Sequence, residues 1–267
     1  MAEQLGAVEA RRLVAERPFW YHTMELAPGV VTPGLFDLRP VVDKVPWPDV
    51  RGKRCLDVGT YDGFLAFEME RRGAAEVVAV DVEDRLWDWP ADARPALSRT
   101  TTGDGFKLAA HVLGSGVSWR PMSIYDLDPA VVGSFDVVVC GGILQHLRDP
   151  VRALEAVRSV CSEWFLSAEH IDLWLSVLFR RRPLARLNGS GPWCDWWASN
   201  AAGHLRMLYS GGFAAERISR PFVVEFNEHE APPTTLRGLP ARIVQRLLAG
   251  TGNPGVLNQA VLARPRL

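Results

Sequence analysis

The stretch Arg54-Cys55-Leu56-Asp57-Val58-Gly59-Thr60-Tyr61-Asp62-Gly63-Phe64 constrains the fold more than any other part of the chain. A buried apolar run breaks at Gly59, crosses a glycine-containing loop and enters a helix. That unit is the nucleotide-side half of a doubly wound α/β fold, in which ligands sit beyond the carboxyl ends of the strands. The helix is expected over Phe64 to Arg72 and stops at Gly73. Glu76-Val77-Val78-Ala79-Val80-Asp81 then reads as a second apolar strand that ends in a carboxylate. An acid roughly twenty residues past the loop is placed to accept hydrogen bonds from a ribose diol. The pattern points to a nucleoside-containing cofactor.

Spacing narrows the choice of cofactor. A dinucleotide loop needs G-x-G-x-x-G, because backbone must approach a pyrophosphate and the helix must pack closely on the strand. Here Tyr61 takes the middle glycine position and the spacing is Gly59-x-x-x-Gly63. A side chain that large would crowd a pyrophosphate. S-adenosylmethionine (SAM) has no phosphate, and its loop tolerates an acid at the strand end, here Asp57. Downstream, Ser118 to Ile124 reads as a third strand with its exit loop, and Ser134 to Cys140 as a fourth. The fourth runs into Gly141-Gly142-Ile143-Leu144-Gln145-His146-Leu147-Arg148-Asp149-Pro150, a loop and the start of a helix.

Together, D-x-G-x-x-x-G, V-V-A-V-D and the Gly141–Pro150 loop resemble motifs I, II and IV of the class I SAM-dependent methyltransferases. The resemblance implies an α/β, Rossmann-like fold: a mostly parallel seven-stranded sheet with helices on both faces. It also implies an enzyme with SAM as its cofactor. Asp57, Gly59, Thr60, Tyr61 and Gly63 would form the donor loop, with Asp81 and Val82 at the ribose. Ser123 and Ile124 would flank adenine, where many members carry an Asp in place of Ser123. Cys140 and Gly141 would face the methionine part.

The segments Trp20 to Leu26, Pro33 to Asp37 and Trp196 to Asn200 extend the likeness across most of the chain. They resemble a group related to the bacterial tRNA wobble-uridine carboxymethyltransferase, which uses carboxy-SAM and holds the extra carboxylate with basic and tyrosyl side chains. By that comparison a basic residue corresponds to Arg39, while the tyrosine before the motif IV histidine is Gln145. Losing a phenol at that position favours ordinary SAM over carboxy-SAM.

A chain of 267 residues can bury a full α/β core, and one domain with embellishments is the default. Residues 1–50 read as a cover segment, a helix from Glu3 to Arg17 followed by a proline-punctuated extended stretch. Residues 51–267 read as the methyltransferase domain, with an insertion rich in Trp, Gly and Pro over about 169–199. A fifth strand (Trp164 to Ala168), a helix from Asn200 to Ser210, and strands near Phe213 to Ile218 and Leu257 to Ala263 complete the sheet. A helix from Gly238 to Gly250 lies between the last two strands.

The net charge of −1 argues against a phosphate-tracking protein, so a small molecule is expected as partner and nucleic acid is not. The run Arg180-Arg181-Arg182 with Arg186 reads as a solvated helix end. Four cysteines without a C-x-x-C pair suit a reducing compartment and no metal. The charged, helix-forming start is no signal peptide, and the apolar run Ile171 to Phe179 is too short for a bilayer. A cytoplasmic monomer or homodimer without membrane contact is expected.

Methyl transfer from a sulfonium is an in-line displacement, so the protein positions the acceptor and, for a hydroxyl, removes its proton. Histidine is the usual base. His146, just after the motif IV loop, and His170, past the fifth strand, are the candidates. Glu169 and Asp172 would orient His170 and raise its pKa. Tyr21 and His22 in the cover segment and Gln145 would meet the acceptor. Trp193, Trp196 and Trp197, with Trp87 and Trp89, would line its pocket or pin the insertion to the core. The expected function is methylation of a small-molecule hydroxyl, in the secondary-metabolite or sugar class. Two alternatives stand beside it: a tRNA wobble-uridine-type transferase, and a SAM-binding partner protein without turnover.

Overall fold

The computed structural model describes residues 5–82, 103–188, 195–227, 235 and 238–266. Trp87, Trp89 and Trp193 lie outside the described residues. The N-terminal segment holds helix α1 (Ala7–Glu16) and the short strands β1 (Trp20–His22), β2 (Glu25–Ala27), β3 (Val30–Val31) and β4 (Gly34–Asp37). Then come β5 (Arg54–Val58), α2 (Phe64–Arg71), β6 (Glu76–Asp81), α3 (Asp104–Leu113), β7 (Ser118–Pro121), α4 (Pro129–Val132), β8 (Phe135–Gly141) and α5 (Pro150–Val160). The chain continues through β9 (Cys161–His170), α6 (Leu173–Leu178), β10 (Ala185–Leu187), β11 (Trp197–Ser199) and α7 (Ala201–Ser210). It ends with β12 (Phe213–Ile218), β13 (Phe222–Phe226), α8 (Leu239–Ala249) and β14 (Gly255–Pro265).

Side chains alternate across a strand, and here both faces are apolar. Cys55, Val77, Ala79, Val137 and Val139 face a cluster with Val14 of α1, Phe67 of α2 and Phe106 of α3. Their neighbours Leu56, Val78, Val80, Val138 and Cys140 face Val132 of α4, Leu154 and Val157 of α5 and Leu208 of α7. Helices therefore cover both sides, as a parallel sheet requires. Asp149 and Asn200 cap α5 and α7, their side chains accepting the Arg152 and Gly203 N–H.

The sheet is wider than the expected seven strands. Its order is β1-β4-β13-β14-β9-β8-β5-β6-β7, with β12 also on β14, ten strands in all. From β7 to β9 every pairing is parallel. β14 runs antiparallel to β9, and its other edge takes two strands in succession, β12 at Val261 to Pro265 and β13 at Gly255 to Asn258. The remaining two come from the cover segment. β4 pairs antiparallel with β13, and β1 parallel with β4. Both alternate buried and half-buried residues, the pattern of a strand with one covered face. A Cβ on Gly34 would stand 2.0 Å from the His22 carbonyl carbon, so the close approach of β1 needs glycine there. The segment read as a separate cover thus curls over from the edge of the sheet itself.

Among the described residues, no helix is long and apolar enough to cross a membrane, and no group of three or more His, Cys, Asp or Glu could hold a metal ion.

Candidate functional site

The loop after β5 coils through three residues of positive φ: Gly59 at 75°, Tyr61 at 48° and Gly63 at 96°. Tyr61 is the only non-glycine residue of that kind among the described residues. Asp81 holds it there, with Oδ2 accepting the Tyr61 N–H at 2.7 Å while Oδ1 accepts the Val82 N–H at 2.8 Å. The acid at the end of β6 therefore shapes the loop as well as facing the space above it. Ile143 closes the other side, its Cδ1 lying 2.6 Å from where a Cβ on Gly59 would be.

Asp57 is 1% exposed, and neither carboxylate oxygen has a partner at hydrogen-bonding geometry. Burial pushes it up to about 7, and the nearby Asp81 charge adds to that. A buried acid without a cation attracts one. The residues fit SAM on that observation. Asp57 would meet the donor's positive charge, and Asp81 the ribose diol.

Asp62, inside the same loop, binds the N-terminal segment to the site. Its Oδ2 accepts the N–H groups of Tyr21 at 2.6 Å and His22 at 3.2 Å, and the Arg17 guanidinium lies 3.7 Å from Oδ1. Burial pushes Asp62 up to about 6, against those partners. The Tyr21 ring stacks on Tyr61 with centroids 4.5 Å apart and meets His22 and Phe36 edge-on. His22 is buried, its Nδ1 has no partner, and burial depresses its pKa to about 3, so the ring is neutral.

The loop after β8 is held from β9. Gly142 N–H donates to the Ala168 carbonyl at 2.8 Å, and Leu144 N–H donates to Glu169 Oε2 at 3.0 Å. Gln145 Nε2 donates to the Gly142 carbonyl at 2.9 Å, while its buried Oε1 has no partner. His146 follows, with Nε2 at 3.4 Å from Gln145 Nε2 and Nδ1 at 3.4 Å from Asp195 Oδ1. Burial pushes Asp195 up to about 7, with Arg186 opposing. Trp196 N–H donates to the Gln145 carbonyl at 2.8 Å, and Trp197 Nε1 to the Arg148 carbonyl at 3.2 Å. Arg148 lies over the Trp196 ring at 4.7 Å. The two tryptophans brace the insertion against the motif IV loop, which sets Asp195 beside His146.

The structure gathers Asp57, Gly59, Thr60, Tyr61, Gly63 and Asp81 at one loop, and joins Tyr21 and His22 to it. Gln145, His146, Trp196 and Trp197 form the neighbouring group. Arg39 is not brought in: it is exposed and forks Asp37 at 2.9 and 2.7 Å. Cys140 lies fully buried in the core, leaving only its backbone for the site. Ile124 is likewise core, and Ser123 Oγ accepts the Tyr125 N–H at 3.3 Å as a turn cap.

His170 differs from the expectation. Strand alternation sends Glu169 toward the motif IV loop and His170 to the opposite face, so the two do not act together. Burial lowers the His170 pKa instead of raising it; Asp172 opposes that and Arg186 adds to it. Asp62 and Asp195 escaped the sequence reading. Asp62 had one signal, an acid locked between two loop glycines; Asp195 had none.

Residues 56–163 match the family model described as a methyltransferase domain. The chain is 31% identical over 130 residues to a tRNA U34 carboxymethyltransferase from Campylobacter hominis, covering 48% of this chain and 40% of that protein. It is 33% identical over 108 residues to a ubiquinone biosynthesis O-methyltransferase from Neisseria meningitidis serogroup C, covering 40% and 39%. The chain thus spans about two fifths of the length of these curated relatives. Among solved structures, the N-terminal domain of EvdMO1 with SAH bound shares the fold. Its TM-score is 0.57 at 16% identity, and the match covers 98% of both chains.

Two outcomes follow from the buried acids. Asp62→Ala strands two N–H groups and the Arg17 charge, and costs about 3 kcal/mol in urea unfolding; Asp62→Asn, which keeps a carbonyl acceptor, costs markedly less. Burial pushes Glu169 up to about 8, from an ordinary 4.5. The folded state then keeps a proton that the unfolded chain has lost. This contribution is complete below pH 4.5 and disappears as pH rises through 8. Unfolding free energy should fall between pH 5 and 8, by up to about 1.4 kcal/mol per unit for this group. Glu169→Gln should flatten that slope.

Proposed function

We propose that the protein, whose residues 56–163 match a methyltransferase-domain family model, is a class I SAM-dependent methyltransferase that transfers a methyl group to the hydroxyl of a small molecule, in the secondary-metabolite or sugar class. The observation that carries this reading is the pairing of His146 with the buried Asp195 directly after the motif IV loop. When bound, SAM supplies a methyl group already activated on a sulfonium. Transfer to a hydroxyl needs a group that takes the proton. With Nδ1 turned to Asp195, His146 would take it at Nε2, where the acceptor hydroxyl would replace the Gln145 amide that faces this nitrogen at 3.4 Å, and Asp195 would stabilise the imidazolium. The buried Oε1 of Gln145, one residue away, supplies an acceptor that can orient the same hydroxyl. Tyr21 and Tyr61 would shut water out from above.

Carboxy-SAM would need a basic clamp for its extra carboxylate. Gln145 stands where the related tRNA enzymes carry tyrosine, and Arg39 is already engaged by Asp37. Both support ordinary SAM and a small acceptor over the tRNA wobble-uridine reading.

The test is a transfer assay with methyl-labelled SAM on separated small-molecule and RNA fractions. Label is expected in the small-molecule fraction; label confined to RNA would favour the tRNA reading, and no label in either would favour a binding protein without turnover. With an acceptor in hand, His146→Ala should lower turnover about 10²–10⁴-fold while donor affinity stays within about twofold. Asp195→Asn should lower it less. It should also move the acid limb of the rate profile to lower pH, because the imidazole loses its anionic partner. A purely structural Asp195 would leave that limb in place.

A further inference from the structure

We propose that the tip of the insertion, together with α8, docks on an anionic lipid bilayer surface. Residues 173–188 and 238–250 contain Arg180, Arg181, Arg182, Arg186, Arg242 and Arg246 and no Asp or Glu, in a chain whose net charge is −1. Arginine is therefore the one charged residue type within these two segments. Arg186 lies 3.4 Å from Asp172, whereas Arg180, Arg181 and Arg182 are exposed and unpaired among the described residues.

The same segments hold apolar side chains out of the core. Neither α6 nor α8 buries any residue. Trp174, Leu178 and Phe179 are 44%, 67% and 41% exposed at α6, and Leu187 follows at 63%. On α8, Leu239, Ile243 and Leu247 recur every four residues and form one outward stripe. The helices share a root: Leu173 at the start of α6 and Ala249 at the end of α8 both pack on Ile171, Val223 and Leu257. The arginine run is also firmly presented. Asn200 Nδ2 donates to the carbonyls of Leu175, Phe179 and Arg182, at 3.3, 3.1 and 2.9 Å.

Charge selects the occupant. In a two-fold dimer the same patch meets itself, so the arginines of each copy, of which only Arg186 has an acid beside it, would face one another. Single-stranded nucleic acid is gripped by stacking on aromatic faces, and this surface is mostly aliphatic. An anionic bilayer answers both halves, phosphate for the guanidiniums and the acyl boundary for the leucines and isoleucine. Such docking is peripheral and needs no spanning helix. It is independent of the acceptor proposed above.

The experiment is co-sedimentation of the full chain with vesicles of phosphatidylcholine alone, and with about one third phosphatidylglycerol. The pelleted fraction should rise severalfold with phosphatidylglycerol. The triple change Arg180→Ser, Arg181→Ser and Arg182→Ser should remove that dependence. Leu178→Ser with Leu247→Ser should weaken pelleting on the same vesicles. The variants are separate and all sites are exposed, so a folding defect in one, read by thermal melting, leaves the other to decide. Equal pelleting on both vesicle types, or pelleting that neither variant changes, overturns the proposal. So does a dimer in light scattering that the leucine variant dissolves, or RNA retention without vesicle binding that the arginine variant abolishes.

Discussion

Asp62 is the joint on which the rest of the site depends. Its carboxylate sits in the glycine loop, yet its bonds run to Tyr21 and His22, forty residues earlier in the chain. A buried carboxylate that accepts backbone N–H groups is among the stronger interactions a protein makes, and leaving either side unpaired is costly. The contact locks β1 against the loop, stacks Tyr21 on Tyr61, and extends the sheet through β4 and β13. One side chain thus turns an edge extension of the sheet into the roof of the donor loop. Gly105 makes room for it, since a Cβ there would lie 2.0 Å from Asp62 Oδ1.

Buried acids recur around this space. Asp57, Asp62, Asp81 and Glu169 are each less than a tenth exposed, and Asp195 is largely buried. Asp62 and Asp81 are satisfied by backbone N–H groups, Glu169 accepts one through Oε2 while its buried Oε1 has no partner, and Asp195 faces His146. Asp57 alone has two carboxylate oxygens without a partner. Such a group destabilises the empty fold and would be relieved by a bound cation, as the positive charge of the proposed donor would do. This electrostatic asymmetry separates the loop from a phosphate cradle, where bare N–H groups would face an anion.

The parts of the fold legible in the sequence were those written locally. Strand–loop–helix order, Gly59 and Gly63, Asp81 and the helix start at Asp149-Pro150 all lie within short windows, and each maps onto the structure. What escaped was written across distance. The cover segment read as extended, but its pairing with β13 joins residues nearly two hundred apart, and no window contains both strands. Asp195 meets His146 only because Trp196 and Trp197 hydrogen-bond to the motif IV loop. The pairing of His170 with Glu169 failed for a simpler reason. Proximity in sequence to Glu169 suggested a pair, and the two-residue period of β9 put them on opposite faces.

The insertion between β9 and α7 connects both of the chain's unusual surfaces. Its returning end carries Asp195, Trp196 and Trp197 to the motif IV loop, while its outgoing end carries α6 and the arginine run. Asn200 ties the two ends together. Its Oδ1 accepts the Leu184 and Gly203 N–H groups while its Nδ2 holds the carbonyl of Leu175 in α6 and those of Phe179 and Arg182 just beyond it. The Leu175, Phe179 and Arg182 carbonyls and the Leu184 and Gly203 N–H groups thus converge on one fully buried side chain, while Trp196 and Trp197 make separate bonds to the Gln145 and Arg148 carbonyls, so the insertion is pinned both at its root and at the motif IV loop.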